Sequence, residues 1–363
     1  MLKIFTPIII FLLLISSLLI LEERKTFDYS TLVHINPIPH TQKLINVKKY
    51  VEAEEYLTFF MEQKYIQENP KAQKLLKLIQ TKRSSYSYKT GKFVEGIIKG
   101  GSDEEIGRAS AIASDFLVIG DIRDLSIEGV HYANDEKVDN LIVALSSLGL
   151  LATATTIYSA GATAPIKISI SLLKYGKRVN KIPSWFQSEL IKYVKTAKET
   201  KSLDKINTLL EPIHKLYNKV GLNQTLHMLK ISKNTKELTA LANFGSRFGK
   251  KSQVLLQTTN NKAIKYAMAM PKVSKKNFLF ASTYGERGLK GLSKLGENKF
   301  MKRVGFNSHF AKTAYKGNLN SLFNTLLRNI PNTALFGMVF LGLGYFILKF
   351  FKIARRFGLK NIF

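Results

Sequence analysis

The chain predicts an all-α fold: a membrane-anchored helical protein with terminal transmembrane helices and a helical middle region. Three observations carry this. Ile4 to Leu21 and Asn329 to Leu348 are uncharged runs of 18 and 20 residues, and about 20 apolar residues suffice to cross a bilayer. Between them, apolar side chains recur at three-to-four spacing in several stretches, the period of an amphipathic helix. The alternating segment Ile166 to Leu172 has no partner strand in sight, so it is read as the start of a helix.

In chain order, residues 1–22 read as a signal anchor. The run ends in Glu22-Glu23-Arg24-Lys25 without a small-x-small cleavage site, which favours an anchor that is kept. Residues 23–43, with Pro37 and Pro39, read as a linker. Residues 44–100 read as a helical hairpin region. Val51, Ala53, Tyr56, Leu57, Phe60 and Met61 form one apolar stripe, and Ala72, Leu75, Leu76, Leu78 and Ile79 form the next. Asn69-Pro70 separates them, with Pro70 suited to a first helical position. Ala53, Tyr56, Leu57, Tyr65 and Asn69-Pro70-Lys71-Ala72 loosely resemble a tetratricopeptide-type helix-turn-helix. No second copy follows at a period of about 34 residues, so the resemblance implies a single packing or peptide-contact hairpin.

Residues 101–180 combine an acidic segment with a small-residue hydrophobic helix. Asp103 to Asp139 holds ten acids. Ser102 and Glu105 have capping-box spacing, and Asp121 followed by Asp124 reads as a second N-cap. Asp115 lies in apolar surroundings, with Arg123 as its expected partner. Asp115, Asp121, Arg123, Asp124 and Glu128 are the candidate ion-pair or metal cluster. Their spacing matches no calcium loop, so capping and ion pairing with the basic half are the expected roles. No metal and no cofactor is expected.

Leu141 to Ile166 is 26 residues without a charge, of which 15 are Ala, Gly, Ser or Thr. Gly149, Ala152, Thr153, Thr156, Ala160 and Ala164 fall on one helix face, where another backbone can approach closely. The helix is expected to end at Gly161–Pro165. Its length fits a bilayer crossing and its composition fits a packed core helix.

Residues 181–328 form a basic helical region. Residues 181–363 hold 33 basic and 7 acidic side chains out of 55 and 26 in the whole chain. Ser184 with Gln187 opens one helix, and Trp185 is core or an interfacial anchor. Ser202 opens another, whose stripe runs from Leu203 to Val220. Pro212 should kink or split that helix, and Gly221 should stop it. Shorter helical patterns follow around Leu238–Phe244 and Ala263–Met270. Gly285 to Gly305 places Leu289, Leu292 and Leu295 among lysines, a pattern that suits a helix lying on an anionic membrane or a packed helix with a solvated basic face. Residues 329–349 are the second transmembrane helix and 350–363 a basic tail. The residues assigned to anionic-lipid contact are Lys290, Lys294, Lys302, Arg303, Lys349, Lys352, Arg355 and Arg356.

Such a charge excess seeks an anionic partner. With apolar chain ends, anionic lipid comes first, and a protein partner on the helical surface remains open. Nucleic acid has no recognition motif in its favour. There is no cysteine, which excludes disulfides, thiolate metal sites and cysteine nucleophiles. No nucleophile elbow, HExxH, phosphate loop or dinucleotide fingerprint occurs.

Basic residues after Leu348 place the C-terminus on the cytoplasmic side. A signal anchor with a short tail does the same for the N-terminus. The expectation is two crossings of a bacterial inner membrane, with the middle periplasmic. The alternative has three crossings, with Leu141–Ile166 as the second. The expected function is non-enzymatic, acting through protein or anionic lipid in the cell envelope. One alternative is a pore- or lesion-forming protein that inserts Leu141–Leu173. Another is a hydrolase using Asp115, Asp121 and His131.

Overall fold

The computed structural model describes residues 2–85, 88–89, 118–159, 164–200, 202–304 and 330–356. It is all-α, with no strand among the described residues. The chain forms two compact units, residues 36–268 and residues 1–35 with 269–363. The segment read from sequence as one basic region, 181–328, contributes to both.

The unit built from the chain ends starts with α1 (Leu2–Thr26), which continues past the apolar run through its charged end. Within the linker of the sequence reading, Asn36 and Pro37 already lead into α2 (Ile38–Asn46) of the other unit. The linker thus ends earlier than expected, because Pro39 sits in the first turn, where a missing amide N–H costs nothing.

The inner unit continues with α3 (Tyr50–Met61), α4 (Lys64–Gln67) and α5 (Pro70–Ser84). Asn69 caps α5, its side chain accepting from the backbone N–H groups of Lys71 and Ala72. Ala53, Tyr56, Leu57, Phe60, Ala72 and Ile79 are buried between these helices. Burial pushes the Tyr56 phenol up to about 12.

Next come α6 (Val118–Ala133), α7 (Asn140–Ser159) and α8 (Ala164–Arg178). The alternating segment is helical, as read. Pro165 opens α8 rather than trailing α7, again a tolerated position in a first turn. In α9 (Ser184–Thr200), Trp185 donates to the Ser232 carbonyl at 2.7 Å, a role within the protein. α10 (Asp204–Val220) runs unbroken through Pro212 and ends at Gly221, whose φ of +79° suits glycine. It packs against α8, α9, α11 (Leu222–Ile231) and α12 (Thr235–Phe248). Ile206, Leu209, Ile213 and Leu216 supply its buried face. Two short helices, α13 (Ser252–Thr258) and α14 (Ala263–Ala269), close this stretch.

The chain then returns to the terminal unit through α15 (Lys275–Ser282), α16 (Gly285–Leu295) and α17 (Glu297–Val304). The single helix read over Gly285–Gly305 is divided at Gly296, where φ is +76°. The last helix, α18 (Asn332–Arg356), extends beyond the apolar run into the basic residues.

Candidate functional site

The terminal helices are the part of the chain that could span a membrane. Thr6–Thr26 and Asn332–Arg355 are each long and apolar enough to cross one. They pack against each other in antiparallel register. Phe11 meets Phe346 edge-on at 6.1 Å between ring centroids, and Ser17 lies 3.7 Å from the Met338 sulfur. Gly342 faces Leu14 so closely that a Cβ there would lie 2.7 Å from a Leu14 methyl. Ile20 and Leu335 form a small buried cluster. At the end of the pair, the Arg24 guanidinium donates to the Ile330 carbonyl at 3.0 Å and to Asn332. Thus α1 residues of rising number meet α18 residues of falling number.

The outer faces of this pair are apolar and uncovered. Leu19 is 64% exposed, Phe340 73% and Leu341 77%. A core helix of a water-soluble domain would bury these side chains, and soluble proteins seldom expose such continuous apolar surface.

Helix α16 lies across the Thr26 end of α1. Gly291 packs on the Phe27 ring, Lys294 donates to the Thr26 carbonyl at 3.3 Å, and Arg287 donates to Thr31 at 2.6 Å. Leu289, Leu292 and Leu295 are buried in the unit. Of the two expectations for this helix, the packed one holds, and its apolar face has no surface left to insert into lipid. Lys290, Lys294 and Lys302 are exposed. Arg303, also assigned to lipid contact, pairs with Glu23 at 2.7 Å. Lys349, Lys352 and Arg355 continue the exposed C-terminal end of α18, and the Arg356 side chain lies outside the described residues.

In the inner unit, the acidic residues serve packing. Lys174 on α8, 2% exposed, donates to Asp121 Oδ1 at 2.6 Å and Asp124 Oδ2 at 2.8 Å. Burial pushes the Asp124 carboxyl up. Its hydrogen bonds and charge interactions with Lys174 and Arg123 outweigh that, and hold it below the usual carboxylate range. One turn along α8, Lys177 pairs with Asp139 at 2.9 Å. Asp139 also caps α7, accepting from the Leu141 and Ile142 N–H groups. Burial raises the Asp139 carboxyl, and these bonds bring it below its ordinary value. Glu128 accepts from the Asp139 N–H at 2.7 Å.

This corrects two expectations. Asp121 is no N-cap, since it lies inside α6 and its carboxylate points sideways. Among the described residues, Asp121, Asp124 and Asp139 pair with Lys174 and Lys177, which belong to the acidic segment's own stretch and not to the half beyond residue 181. Arg123 pairs with its neighbour Asp124 at 2.9 Å, while Asp115 lies outside the described residues. An ammonium already occupies the space between Asp121 and Asp124. Among the described residues no group of His, Asp or Glu is arranged to hold a metal. Nor do Asp121 and His131 converge: His131 sits beside Glu128 at 3.4 Å and Glu136 at 3.7 Å.

The small-residue face has a local purpose where it is described. A Cβ at Gly149 would overlap the Asp121 carboxylate, so Gly149 makes room for the buried pair. Ala152 is fully buried. The side chains of Thr153, Thr156 and Ala164, and all of Ala160, lie outside the described residues.

Neither a family model, nor a curated protein, nor a solved structure matches this chain.

Proposed function

We propose that the chain is a non-enzymatic bacterial envelope protein anchored in the inner membrane by α1 and α18. Both termini are cytoplasmic, and residues 36–268 are carried on the periplasmic side as a binding surface for protein or anionic lipid. The observation that carries this reading is the antiparallel pairing of two apolar, outwardly exposed helices. Such a pair crosses the membrane twice and leaves both ends on one side. Lys349, Lys352, Arg355 and Arg356 mark that side as cytoplasmic. The 233 residues between Ile35 and Ala269 form a compact unit of their own. Positive charge in so long a loop does not prevent translocation. The high Lys, Ile and Asn content supports a bacterial source.

Membrane fractions carrying Leu14→Cys and Gly342→Cys test the reading. A Cβ at 342 would lie 3.1 Å from the Leu14 Cβ, within a few tenths of an ångström of the separation a disulfide takes. The chain has no other cysteine. Oxidation should give an intramolecular bridge in protein that resists alkaline extraction. Absence of the bridge in the extracted-resistant fraction would count against the paired anchor.

A further inference from the structure

We infer that the exposed lysine edge of α16 and α17, chiefly Lys290, Lys294, Lys299 and Lys302, binds anionic phospholipid headgroups in the leaflet where α1 ends. This rests on the two-crossing reading and adds the partner's chemistry and its place.

Depth is the first argument. The apolar run of α1 ends at Leu21, and Thr26 follows five residues later on the same helix. At about 1.5 Å per residue, Thr26 lies about 7 Å beyond the hydrocarbon edge. The headgroup zone is about 5–7 Å thick on each side of the hydrocarbon core. Lys294 touches the Thr26 carbonyl and α16 runs on beside residues 27–31. The helix therefore lies at the outer edge of the headgroup zone, within reach of long lysine side chains.

Charge is the second. Residues 269–304 hold nine basic side chains and two acidic ones. The acids of this layer are already engaged. Glu23 is held by Arg303, Glu22 by Lys25, and Glu297 by the Ser274 N–H and Asn277. Asp28 accepts from Ser30. Lys290, Lys299 and Lys302 are exposed, and the layer's remaining acid, Glu286, stands one turn before Lys290 on α16 and has an interaction of its own. The buried leucines of α16 exclude an inserted amphipathic helix, so the contact is electrostatic, between ammonium groups and lipid phosphate.

The test uses the full-length chain in detergent with equal phosphatidylglycerol and phosphatidylcholine, the retained lipid being counted by native mass spectrometry. Wild type should retain phosphatidylglycerol preferentially. Lys290→Glu/Lys294→Glu should reduce that retention by at least about fivefold per lysine, the equivalent of about 1 kcal/mol each. Lys205→Glu/Lys236→Glu, the same charge change in the inner unit, should leave it unchanged. Equal loss in both variants, or no preference in wild type, would overturn the inference. The Leu14–Gly342 cross-link, measured in each variant, shows that the anchor is intact. If the cross-link and alkaline resistance fail in the Leu14→Cys/Gly342→Cys chain with its lysines unchanged, the two-crossing reading fails instead.

Discussion

Replacing Lys174 by methionine is expected to destabilise the inner unit by about 3–5 kcal/mol, because removing one partner strands the buried carboxylates of Asp121 and Asp124. Unfolding of the full chain in mild detergent, followed by helix circular dichroism, measures it. Adding Asp121→Asn and Asp124→Asn to the same chain should restore most of the loss, since an uncharged trio has no charge left to desolvate. The pH response separates this from simple loss of packing. In the wild type the Asp124 carboxyl is held below its unfolded value of about 3.9. Its contribution is therefore present above about pH 4 and disappears as pH falls through the folded value. In Lys174→Met both carboxyls lose the ammonium, with Asp124 still held by Arg123, so protonating them costs less than in the wild type and acid relieves the variant. The stability gap should narrow from neutral to acidic pH. A gap that is constant with pH would contradict the ion-pair account.

Replacing Gly288 by alanine is expected to loosen the terminal unit. An added Cβ would overlap the Ala281 carbonyl oxygen and lie 2.8 Å from the Tyr284 Cβ. Backbone cannot rotate aside as a side chain can, so α15 and α16 must part. Overpacking of this kind costs about 1–3 kcal/mol, and more where nothing yields. The Arg287–Thr31 and Lys294–Thr26 contacts depend on the same packing. Limited proteolysis in detergent should cut earlier between residues 269 and 304. Gly344→Ala is the control, because nothing lies within 4 Å of a Cβ there. It should leave the proteolysis pattern unchanged. Equal sensitivity in both variants would sink the argument.

The helical fold was legible because its signals are local. Uncharged runs marked α1 and α18, three-to-four spacing marked α3, α5 and α10, and Asn69-Pro70 and Gly221 marked helix limits. Interpreting α16 was harder. Leucines among lysines look alike on a packed helix and on a membrane-surface helix, and only the partners of Leu289 and Leu292 separate the two. The glycines at 288 and 291 carried the missing information: close approach to Ala281 and Phe27. The buried ion pair was half legible. Asp121 and Asp124 stood out as acids, but a cap and a cross-helix pair have the same local sequence. Lys174 gave no sign of its role, since its partners lie 50 and 53 positions away. Arg303 was assigned to lipid for the same reason, its partner Glu23 being 280 positions distant.

The central claim is the double crossing, and single-cysteine accessibility tests it most directly in a chain that has no cysteine of its own. Lys137→Cys, Lys230→Cys and Arg355→Cys would be labelled in spheroplasts with a membrane-impermeant maleimide. All three positions are exposed in the structure. Two crossings predict labelling at 137 and 230 in intact spheroplasts, and at 355 only after permeabilisation. Labelling at 137 with protection at 230 would make α7 a crossing helix and contradict the antiparallel anchor.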